Sequence, residues 1–365
     1  MPPRKGDELE RPTLDTIAHE LGVSRATVSN AYNRPDQLSA ALRERILAAA
    51  AALGYAGPHP AARTLRTGRA GAVGVLLCDR LSYAFSDPAA VLFLDGLAEV
   101  LEPEGVGLLI LPGMEAAGPV PELVQAAVVD GLVTYCLPDD DPALVAARER
   151  GLPLVLVDHG GRRGEATVRV DDPGGGTGII RHLLDLGHTR LAIVCYELGP
   201  GRRQGLAGAD RLRTIAFDGT RERLGGYRTA LAAAGLDWPT TPIYECDHNG
   251  RQPGREAAAE LLGGRRRPTA IVAMSDELAM GVLEAAHDTG LEVPRHLSVV
   301  GYDDTPGAAV TTPPLTTVRQ PLRTKGEQAG RRLLALRDGR PVGRSRRLPT
   351  EVVVRASTAP PRRAR

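Results

Sequence analysis

The chain has 365 residues, of which 42% are hydrophobic and 24% charged, and its 45 basic and 44 acidic residues leave a formal net charge of +1. This length exceeds one ordinary domain, and the composition is that of a globular protein and excludes a disordered or fibrous chain. No apolar run reaches membrane-spanning length, and the segment Met1 to Glu8 lacks the apolar stretch of a signal peptide. We therefore expect a cytoplasmic protein without a membrane partner.

Residues 13–33 have the pattern of two short helices joined by a tight turn. Thr13 is a suitable N-cap for the first helix, Gly22 allows the left-handed backbone of a sharp exit, and Ser24 is placed to cap the second helix. Near its start the second helix exposes one polar side, at the position where a recognition helix meets base edges. The residues on this side are Arg25, Ala26, Ser29 and Asn30. The pattern predicts a helix-turn-helix DNA reader, and the alternative is a surface helical hairpin.

The next segments support the DNA reader. Apolar residues from Leu42 to Leu53 recur at helical spacing and predict a third helix that closes a small core. Residues 57–69 contain two prolines, three arginines and one large apolar side chain, which suits a segment that folds only against a partner. Seven arginines and two acidic residues lie between Ser24 and Arg69. Positive charge is therefore concentrated where DNA phosphates would lie.

Residues 13–69 resemble the DNA-binding headpiece of the LacI family of bacterial transcription regulators. The matching positions are Thr13-Leu14, Ile17-Ala18, the run Gly22 to Ser29, Asn33, Ser39, Arg43, Gly54-Tyr55 and the run Ala62 to Leu65. Later motifs extend the resemblance over nearly the whole chain. Two features depart from the family pattern: Thr16 stands where an acid is usual, and the stretch between Tyr55 and Arg63 is longer than the commonest pattern.

The resemblance implies that the partner is double-stranded DNA with a palindromic operator. Arg25, Ala26 and Asn30 match the family's principal specificity positions, and an arginine pairs bidentately with guanine. The residues expected mostly to hold phosphates are Ser24, Thr27, Ser29, Asn33, Ser39 and Arg43. Ala62, Arg63 and Leu65 belong to a hinge over residues 60–66 that is implied to be disordered without DNA and helical on the operator. Leu65 would wedge into the minor groove.

From about residue 71, short apolar strands alternate with helical segments, which predicts parallel sheets covered on both faces. The predicted strands are 71–77, 107–111, 131–133, 154–157, 191–194, 242–246, 270–273 and 297–300. The predicted helices are 89–103, 120–128, 142–151, 176–187, 222–235, 253–263 and 277–290. These units are too many for one compact sheet, so we expect two lobes.

The resemblance implies an α/β core of two doubly wound parallel-sheet lobes, like a periplasmic sugar-binding protein, behind a small all-α helix-turn-helix domain. The expected segments are a headpiece (1–57), a hinge (58–70), a core (71–358) and a disordered tail (359–365). Within the core, the N-lobe would take 71–171 and 319–347, and the C-lobe 172–318 and 348–358. A Gly- and Arg-rich insertion over 197–221 either covers the cleft or is disordered.

Ligands of open α/β sheets bind beyond the carboxyl ends of the strands, and polar residues follow several predicted strands. Arg223 and Asp303 match family positions that hydrogen-bond effector hydroxyls, for which a guanidinium and a carboxylate are suited. Asp276 is expected either to contact the effector or to cap a helix, and Tyr83 and Phe85 either to stack on a sugar or to anchor their loop. The predicted effector-binding set is Tyr83, Phe85, Asp158, Arg223, His248, Asn249, Ser275, Asp276 and Asp303.

Together these features predict a transcription regulator, a repressor, whose operator affinity is set by a small effector. A sugar is the expected effector and a nucleoside the alternative. The competing interpretation is a sugar-binding or sugar-processing protein with an unrelated basic N-terminus, but no nucleophile elbow is present. The four scattered cysteines are expected to be free thiols, and the histidine spacing does not fit a metal site. No enzyme activity, cofactor or metal is expected.

A palindromic operator requires a two-fold dimer. Helix 277–290 carries Leu278, Met280, Gly281 and Leu283, which is more apolar surface than one core face needs. The equivalent region of the family faces the partner subunit. The chain also ends without a heptad repeat that would make tetramers. We therefore expect a homodimer.

Overall fold

A computed structural model describes residues 12–55, 57, 68–113, 119–264, 266–343 and 347–362. The chain divides into two compact units, Met1–Ala70 and Gly71–Arg365. No helix in the described part of the chain is both long and apolar enough to cross a membrane.

The first unit contains a three-helix domain formed by α1 (Leu14–Leu21), α2 (Arg25–Asn33) and α3 (Ala40–Ala52), with a 3-10 turn at Pro35–Gln37. One apolar side chain from each helix is completely buried, and these three are Ile17, Val28 and Ile46. A core this small depends on stable helix ends.

Thr13 and Thr16 form a reciprocal capping box at the start of α1, in which a threonine performs the role that an acid has in the family pattern. Gly22 ends α1 with a φ of 64°, a left-handed conformation that glycine adopts without strain. Ser24 then accepts a hydrogen bond from the Thr27 N–H at 3.1 Å and caps α2. The predicted caps and the tight turn between α1 and α2 are thus present in the structure.

The N-lobe is built on a parallel sheet with the strand order β2-β1-β3-β4-β5. Its strands are β1 (Ala72–Leu77), β2 (Gly107–Leu111), β3 (Leu132–Tyr135), β4 (Leu154–Val157) and β5 (Ala166–Val168). The helices of this lobe are α4 (Tyr83–Ser86), α5 (Pro88–Leu101), α6 (Val120–Ala126), α7 (Pro142–Glu149) and α13 (Leu322–Arg337).

The C-lobe sheet has the order β10-β9-β6-β8-β7 and is parallel except at β7. Its strands are β6 (Leu191–Cys195), β7 (Gly205–Leu206), β8 (Ile243–Glu245), β9 (Ala270–Ala273) and β10 (Ser298–Val300). Its helices are α8 (Asp172–Asp185), α9 (Ala209–Arg213), α10 (Asp218–Ala233), α11 (Arg251–Gly263) and α12 (Asp276–Asp288).

Short extended segments connect the two lobes. The chain leaves the N-lobe after β5, enters α8, and returns through β11 (Thr317–Arg319) to α13. It then crosses again through β12 (Glu351–Val353), which pairs antiparallel with β11. Beyond β12, Ser357 lies beside β10, since its carbonyl accepts the Val299 N–H at 2.9 Å. This architecture confirms the predicted fold class.

The start of α8 differs from the prediction. Asp171 accepts the Gly174 N–H at 3.2 Å, so the helix begins at Asp172 and contains the whole glycine run, whereas the predicted helix began within that run at residue 176. A Cβ on Gly176 would lie 2.7 Å from the carbonyl oxygen of Arg223 on α10. Close packing of α8 on α10 therefore explains the glycine-rich sequence.

Candidate functional site

The core contains a cavity at the carboxyl ends of the strands of both sheets, where open α/β sheets bind ligands. Its volume is about 780 Å³, including space open to solvent. The N-lobe lines it with Cys78, Asp79, Tyr83, Asp87, Ala89, Tyr135, Cys136 and Asp158. The C-lobe lines it with Asp172, Tyr196, Glu197, Phe217, Gly219, Thr220, Arg223, Asn249, Ser275 and Asp303, and Gln320 comes from the connecting segment.

Arg223 is a buried and firmly held cation on the C-lobe wall. Its Nε lies 2.9 Å from Oδ1 of Asp172, its Nη1 donates to the Met274 carbonyl at 2.6 Å, and its guanidinium stacks 3.5 Å from the Tyr302 ring centroid. Burial alone would lower the pKa of Arg223, but the Asp172 carboxylate raises it well above its ordinary value. The guanidinium is thus charged and preorganised for a ligand oxygen.

Two cavity carboxylates, Asp303 on the C-lobe and Asp158 on the N-lobe, are linked through side chains of the connecting segment and α13. Gln320 donates to Oδ1 of Asp303 at 2.6 Å, and Lys325 donates to Oε1 of Gln320 at 2.9 Å. Lys325 also donates to Oδ2 of Asp158 at 2.6 Å. Among the described residues, the other oxygen of Asp158 is buried without a hydrogen-bond partner. It is therefore available to accept from a ligand.

Three cavity residues have a positive φ although none is glycine. Cys136 and Asp158 directly follow β3 and β4, and Asp303 lies shortly beyond the end of β10. Their φ angles are 57° for Cys136, 53° for Asp158 and 116° for Asp303. Such conformations are uncommon outside glycine, cost of order 1–3 kcal/mol each, and persist where the surrounding structure enforces them. The strained positions are concentrated on the cavity wall.

A series of side-chain hydrogen bonds also crosses the cavity from Ser275 to Asp87. Ser275 donates to Oδ1 of Asn249 at 2.5 Å, and Asn249 faces Oδ1 of Asp87 on the opposite lobe at 3.5 Å. Asp87 also accepts from the Ala90 N–H at 3.1 Å and from the Tyr83 hydroxyl. Burial raises the pKa of Asp87, while these hydrogen bonds oppose the shift.

Most of the predicted effector residues lie together in this cavity. They are Tyr83, Asp158, Arg223, Asn249, Ser275 and Asp303. Ser275 is also the N-cap of α12, accepting the Leu278 N–H at 3.1 Å.

Three other residues of that set lie outside the cavity lining, which corrects the prediction for them. The Phe85 side chain points to solvent and is 73% exposed. His248 is occupied by the neighbouring Asp247, 2.7 Å from its Nδ1. Asp276 is fully buried and accepts from Thr305 and Thr317, so it joins the C-lobe to the connecting segment instead of reaching a ligand.

Sequence reasoning missed several lining residues. Tyr196 and Glu197 directly follow β6, so the strand-end rule that selects Asp158 also selects them. Asp87 precedes α5 and has the signal of a helix cap. Gln320 has no local signal, because only the fold brings it to the cavity. The insertion over 197–221 contributes Phe217 to the wall, and it is fixed by Arg211, which pairs with the buried Glu245.

No group of three or more His, Cys, Asp or Glu side chains within the described ranges is arranged to hold a metal ion. The cavity is lined by hydrogen-bond donors and acceptors together with aromatic and other apolar side chains.

In the first unit, the start of α2 presents the predicted base-reading residues. Arg25 and Ala26 are exposed and Asn30 is half-buried. The Arg25 side chain is 68% exposed, with its Nε 3.6 Å from Asp15. Such an exposed ion pair contributes little to stability, so Arg25 is free to exchange Asp15 for a DNA group.

The predicted phosphate-contacting residues also hold the domain together. Ser24 caps α2 and Ser39 caps α3. Asn33 donates to the Ser29 carbonyl at 2.8 Å, and Arg43 reaches across to the Ala31 carbonyl at 3.3 Å. Thr27 contacts the Ser24 hydroxyl at 2.8 Å. The predicted hinge contacts Ala62, Arg63 and Leu65, and the end of the predicted tail, lie outside the described residues.

Comparison with known proteins decides the family. Residues 13–57 match the model for bacterial regulatory proteins of the lacI family, and residues 180–358 match a periplasmic binding protein-like domain. An HTH-type transcriptional regulator of Mycobacterium tuberculosis is 42% identical over 355 residues, covering 96% of this chain and 98% of the relative. The chain belongs to the LacI family. It is thus a transcription regulator with a DNA-binding domain and an effector-binding core.

Solved LacI-family structures agree with this assignment. A complex of the transcriptional regulator CelR with cellobiose is 29% identical, has a TM-score of 0.67, and is matched over 95% of this chain and 100% of that one. The lac repressor dimer bound to operator and the anti-inducer ONPF is 27% identical, has a TM-score of 0.77, and is matched over 96% and 100%.

The apolar side chains of α12 face its own lobe, contrary to the prediction that they are surplus to the core. Leu278, Met280 and Leu283 are buried within this chain, because α12 packs tightly against α11. A Cβ on Gly281 would lie 1.9 Å from the Arg251 carbonyl oxygen. The apolar residues of this LacI-family helix are thus used by its own lobe and do not by themselves indicate a partner subunit.

Proposed function

We propose that this LacI-family regulator is a dimeric repressor of a palindromic operator, controlled by a polyhydroxylated effector of the sugar class. The effector would lie in the core cavity and contact both lobes. No cofactor or metal takes part, and the protein would act on DNA in the cytoplasm.

The main support is that Asp158 and Arg223 line the cavity from different lobes. Asp158 offers a buried carboxylate oxygen from the N-lobe, and Arg223 offers a fixed guanidinium from the C-lobe. A hydroxyl is both donor and acceptor, so a molecule with several hydroxyls can satisfy both groups at once. Tyr83 and Tyr135 supply ring surface from the N-lobe wall.

The LacI-family neighbours support the finer parts of this proposal. One was solved with cellobiose, which is a sugar, and another as a dimer on its operator. Leu81, Phe85 and Val91 are exposed apolar side chains on adjoining segments of the N-lobe, and they favour a protein contact there. A two-fold dimer is the symmetry that a palindromic operator requires.

Control of DNA binding would follow from the two-lobed site. A ligand that contacts both lobes favours one angle between them, and only such a difference in affinity shifts an equilibrium. We propose that residues 58–70 pass this angle to the headpiece, with Ala62, Arg63 and Leu65 contacting DNA and Leu65 wedged into the minor groove.

The test starts from DNA selected by the full-length protein from a random-sequence pool. Fluorescence anisotropy then measures affinity for the selected DNA with and without each member of a sugar and nucleoside panel. We expect the selected sequence to be palindromic and at least one sugar to change its affinity. Light scattering at micromolar concentration should give a dimer mass.

Variants separate the two sites. Ser275→Ala and Asp303→Asn should keep affinity for the selected DNA and lose most of the response to the sugar. Asp140→Asn removes an exposed carboxylate outside the cavity and serves as the matched control. An unchanged sugar response in both cavity variants would place the effector elsewhere.

A further inference from the structure

We propose that the core cavity excludes anionic ligands, so that the effector is an uncharged or amino-substituted polyol and its phosphorylated or carboxylated counterparts do not bind. This inference rests on the proposed function, because it narrows the chemical class of the effector. It is carried by the distribution of charge on the cavity wall.

Acidic side chains dominate that wall. Six carboxylates line it, whereas Arg223 is the one lysine or arginine among the described lining residues. The six are Asp79, Asp87, Asp158, Asp172, Glu197 and Asp303. Cations outside the lining also contact this set, since Lys325 pairs with Asp158, and Arg202 pairs with Asp79 at 3.2 Å. On the described lining itself, carboxylates outnumber basic side chains by six to one.

The charge of Arg223 is already balanced by the protein. Its Nε and Nη2 both contact Oδ1 of Asp172, at 2.9 and 2.8 Å. Its Nη1 donates to the Met274 carbonyl and to the Tyr196 hydroxyl. A ligand hydroxyl needs only one remaining N–H, but a phosphate or carboxylate would have to compete with Asp172 for the guanidinium fork.

Helix N-termini are the other common anion sites, and the protein's own side chains cap two of those beside the cavity. Asp87 accepts the Ala90 N–H at the start of α5, and Ser275 accepts the Leu278 N–H at the start of α12. The start of α10 has no capping side chain but carries Asp218 in its first turn. An anion would meet negative charge at α5 and α10.

Asp87 and Asp303 make the exclusion strongest at the centre of the site. They lie on opposite lobes, both are buried, and the charge of Asp87 contributes to raising the pKa of Asp303, after burial and Asp276. A hydroxyl or ammonium group beside them would add a hydrogen-bond donor to two carboxyl groups that are poorly solvated. An anion there would place further negative charge in the same poorly solvated space.

The experiment compares neutral sugars with amino and anionic derivatives of the same monosaccharides, and their binding to the full-length protein is measured by calorimetry and thermal shift. The neutral members are glucose, galactose, ribose and cellobiose. The amino members are glucosamine and galactosamine. The anionic members are glucose 6-phosphate, galactose 6-phosphate, ribose 5-phosphate, glucuronate and galacturonate.

For each neutral sugar that binds, we expect the anionic counterpart to bind at least about tenfold more weakly, and an amino counterpart to bind no more weakly than the neutral one. Asp303→Asn and Asp87→Asn should each lower the ratio of neutral-sugar affinity to anionic-sugar affinity, while Asp140→Asn should leave this ratio unchanged. A general structural defect would weaken both affinities together and would leave their ratio unchanged.

Two failures can be told apart. If an anionic sugar binds as tightly as its neutral counterpart, the charge inference is wrong while the sugar effector stands. If no sugar of any charge binds, the proposed effector class is wrong, and the charge inference fails with it.

Discussion

Nζ of Lys325 lies 2.6 Å from Oδ2 of Asp158, and both groups are almost completely withdrawn from solvent. Burial alone would lower the pKa of Lys325, but the neighbouring Asp158 raises it, so Lys325 is charged. Because Lys325 also holds Gln320, and Gln320 holds Asp303, one buried cation connects ligand-facing carboxylates of both lobes. Stability and lobe geometry therefore depend on the same contact.

Lys325→Met should strongly destabilise the core. The change leaves the carboxylate of Asp158 buried without its cation, and breaking one partner of a buried pair typically costs about 3–5 kcal/mol. Denaturant unfolding followed by fluorescence and circular dichroism measures the loss. Arg331→Ala, on the same helix, removes only an exposed ion pair with Glu327 and should change the midpoint little. If both variants unfold at the same denaturant concentration, the buried pair does not have this role.

Gly326→Ala should also destabilise the core, although alanine is the better helix former. A Cβ at Gly326 would lie 2.0 Å from the Phe93 carbonyl oxygen, so α13 must move away from α5. Overpacking of this kind costs typically about 1–3 kcal/mol.

Gly225→Ala, on α10, is the matched control, because a Cβ at Gly225 would have no neighbouring atom within 4 Å. It should stabilise by up to about 1 kcal/mol through helix propensity. Melting temperatures that move in the same direction for both variants would contradict the packing argument.

The sequence predicts the elements of this fold well, because each has a local signal. The headpiece helices have caps at Thr13, Ser24 and Ser39, and the core strands are short apolar runs. The wiring of the lobes came from the family resemblance, since periodicity does not say which sheet a strand joins. The start of α8 was misjudged because its glycines have poor helix propensity, and tertiary packing overrides that preference.

The site was harder to predict than the fold. Strand-end positions identified Asp158 and Asp303, because a strand's carboxyl end is a local property. Lys325 and Gln320 were not identified, since their role depends on contacts with residues more than a hundred positions away or on the opposite lobe. Phe85 was included because an aromatic ring can stack on a sugar, but the residue type does not specify the direction of a side chain.

Ligand affinity should fall as the pH is lowered, through Asp303. Burial raises the pKa of Asp303 well above its usual range, as does the negative charge of Asp276, against the opposing effect of Arg223. Only the ionised carboxylate accepts from ligand hydroxyls at both oxygens. Because the pKa is raised, affinity should begin to fall at a pH above the ordinary aspartate value of about 3.9.

Calorimetry between about pH 5 and pH 8, with the neutral sugar that binds most tightly, measures this pH dependence. Titration of one carboxyl group can change the affinity by at most about tenfold per pH unit. Asp303→Asn should flatten the profile, and Asp140→Asn should leave it intact. Parallel profiles for the wild type and Asp303→Asn would assign the titration to another group.

Arg25 should read one base pair in each half-site. Arg25 is exposed at the start of α2, and its ion pair with Asp15 is a weak surface contact. Its guanidinium can donate two hydrogen bonds at once to the two acceptors of guanine. Arg25→Ala should lower discrimination at that base pair by about 1–3 kcal/mol. Arg25→Lys keeps the charge but not the planar fork, so it should lose part of this discrimination while the salt dependence stays near that of the wild type. Anisotropy titrations on the selected DNA and its single-base variants, at several salt concentrations, measure both quantities. Uniform weakening on every sequence by Arg25→Ala, with full recovery in Arg25→Lys, would instead make Arg25 a phosphate contact.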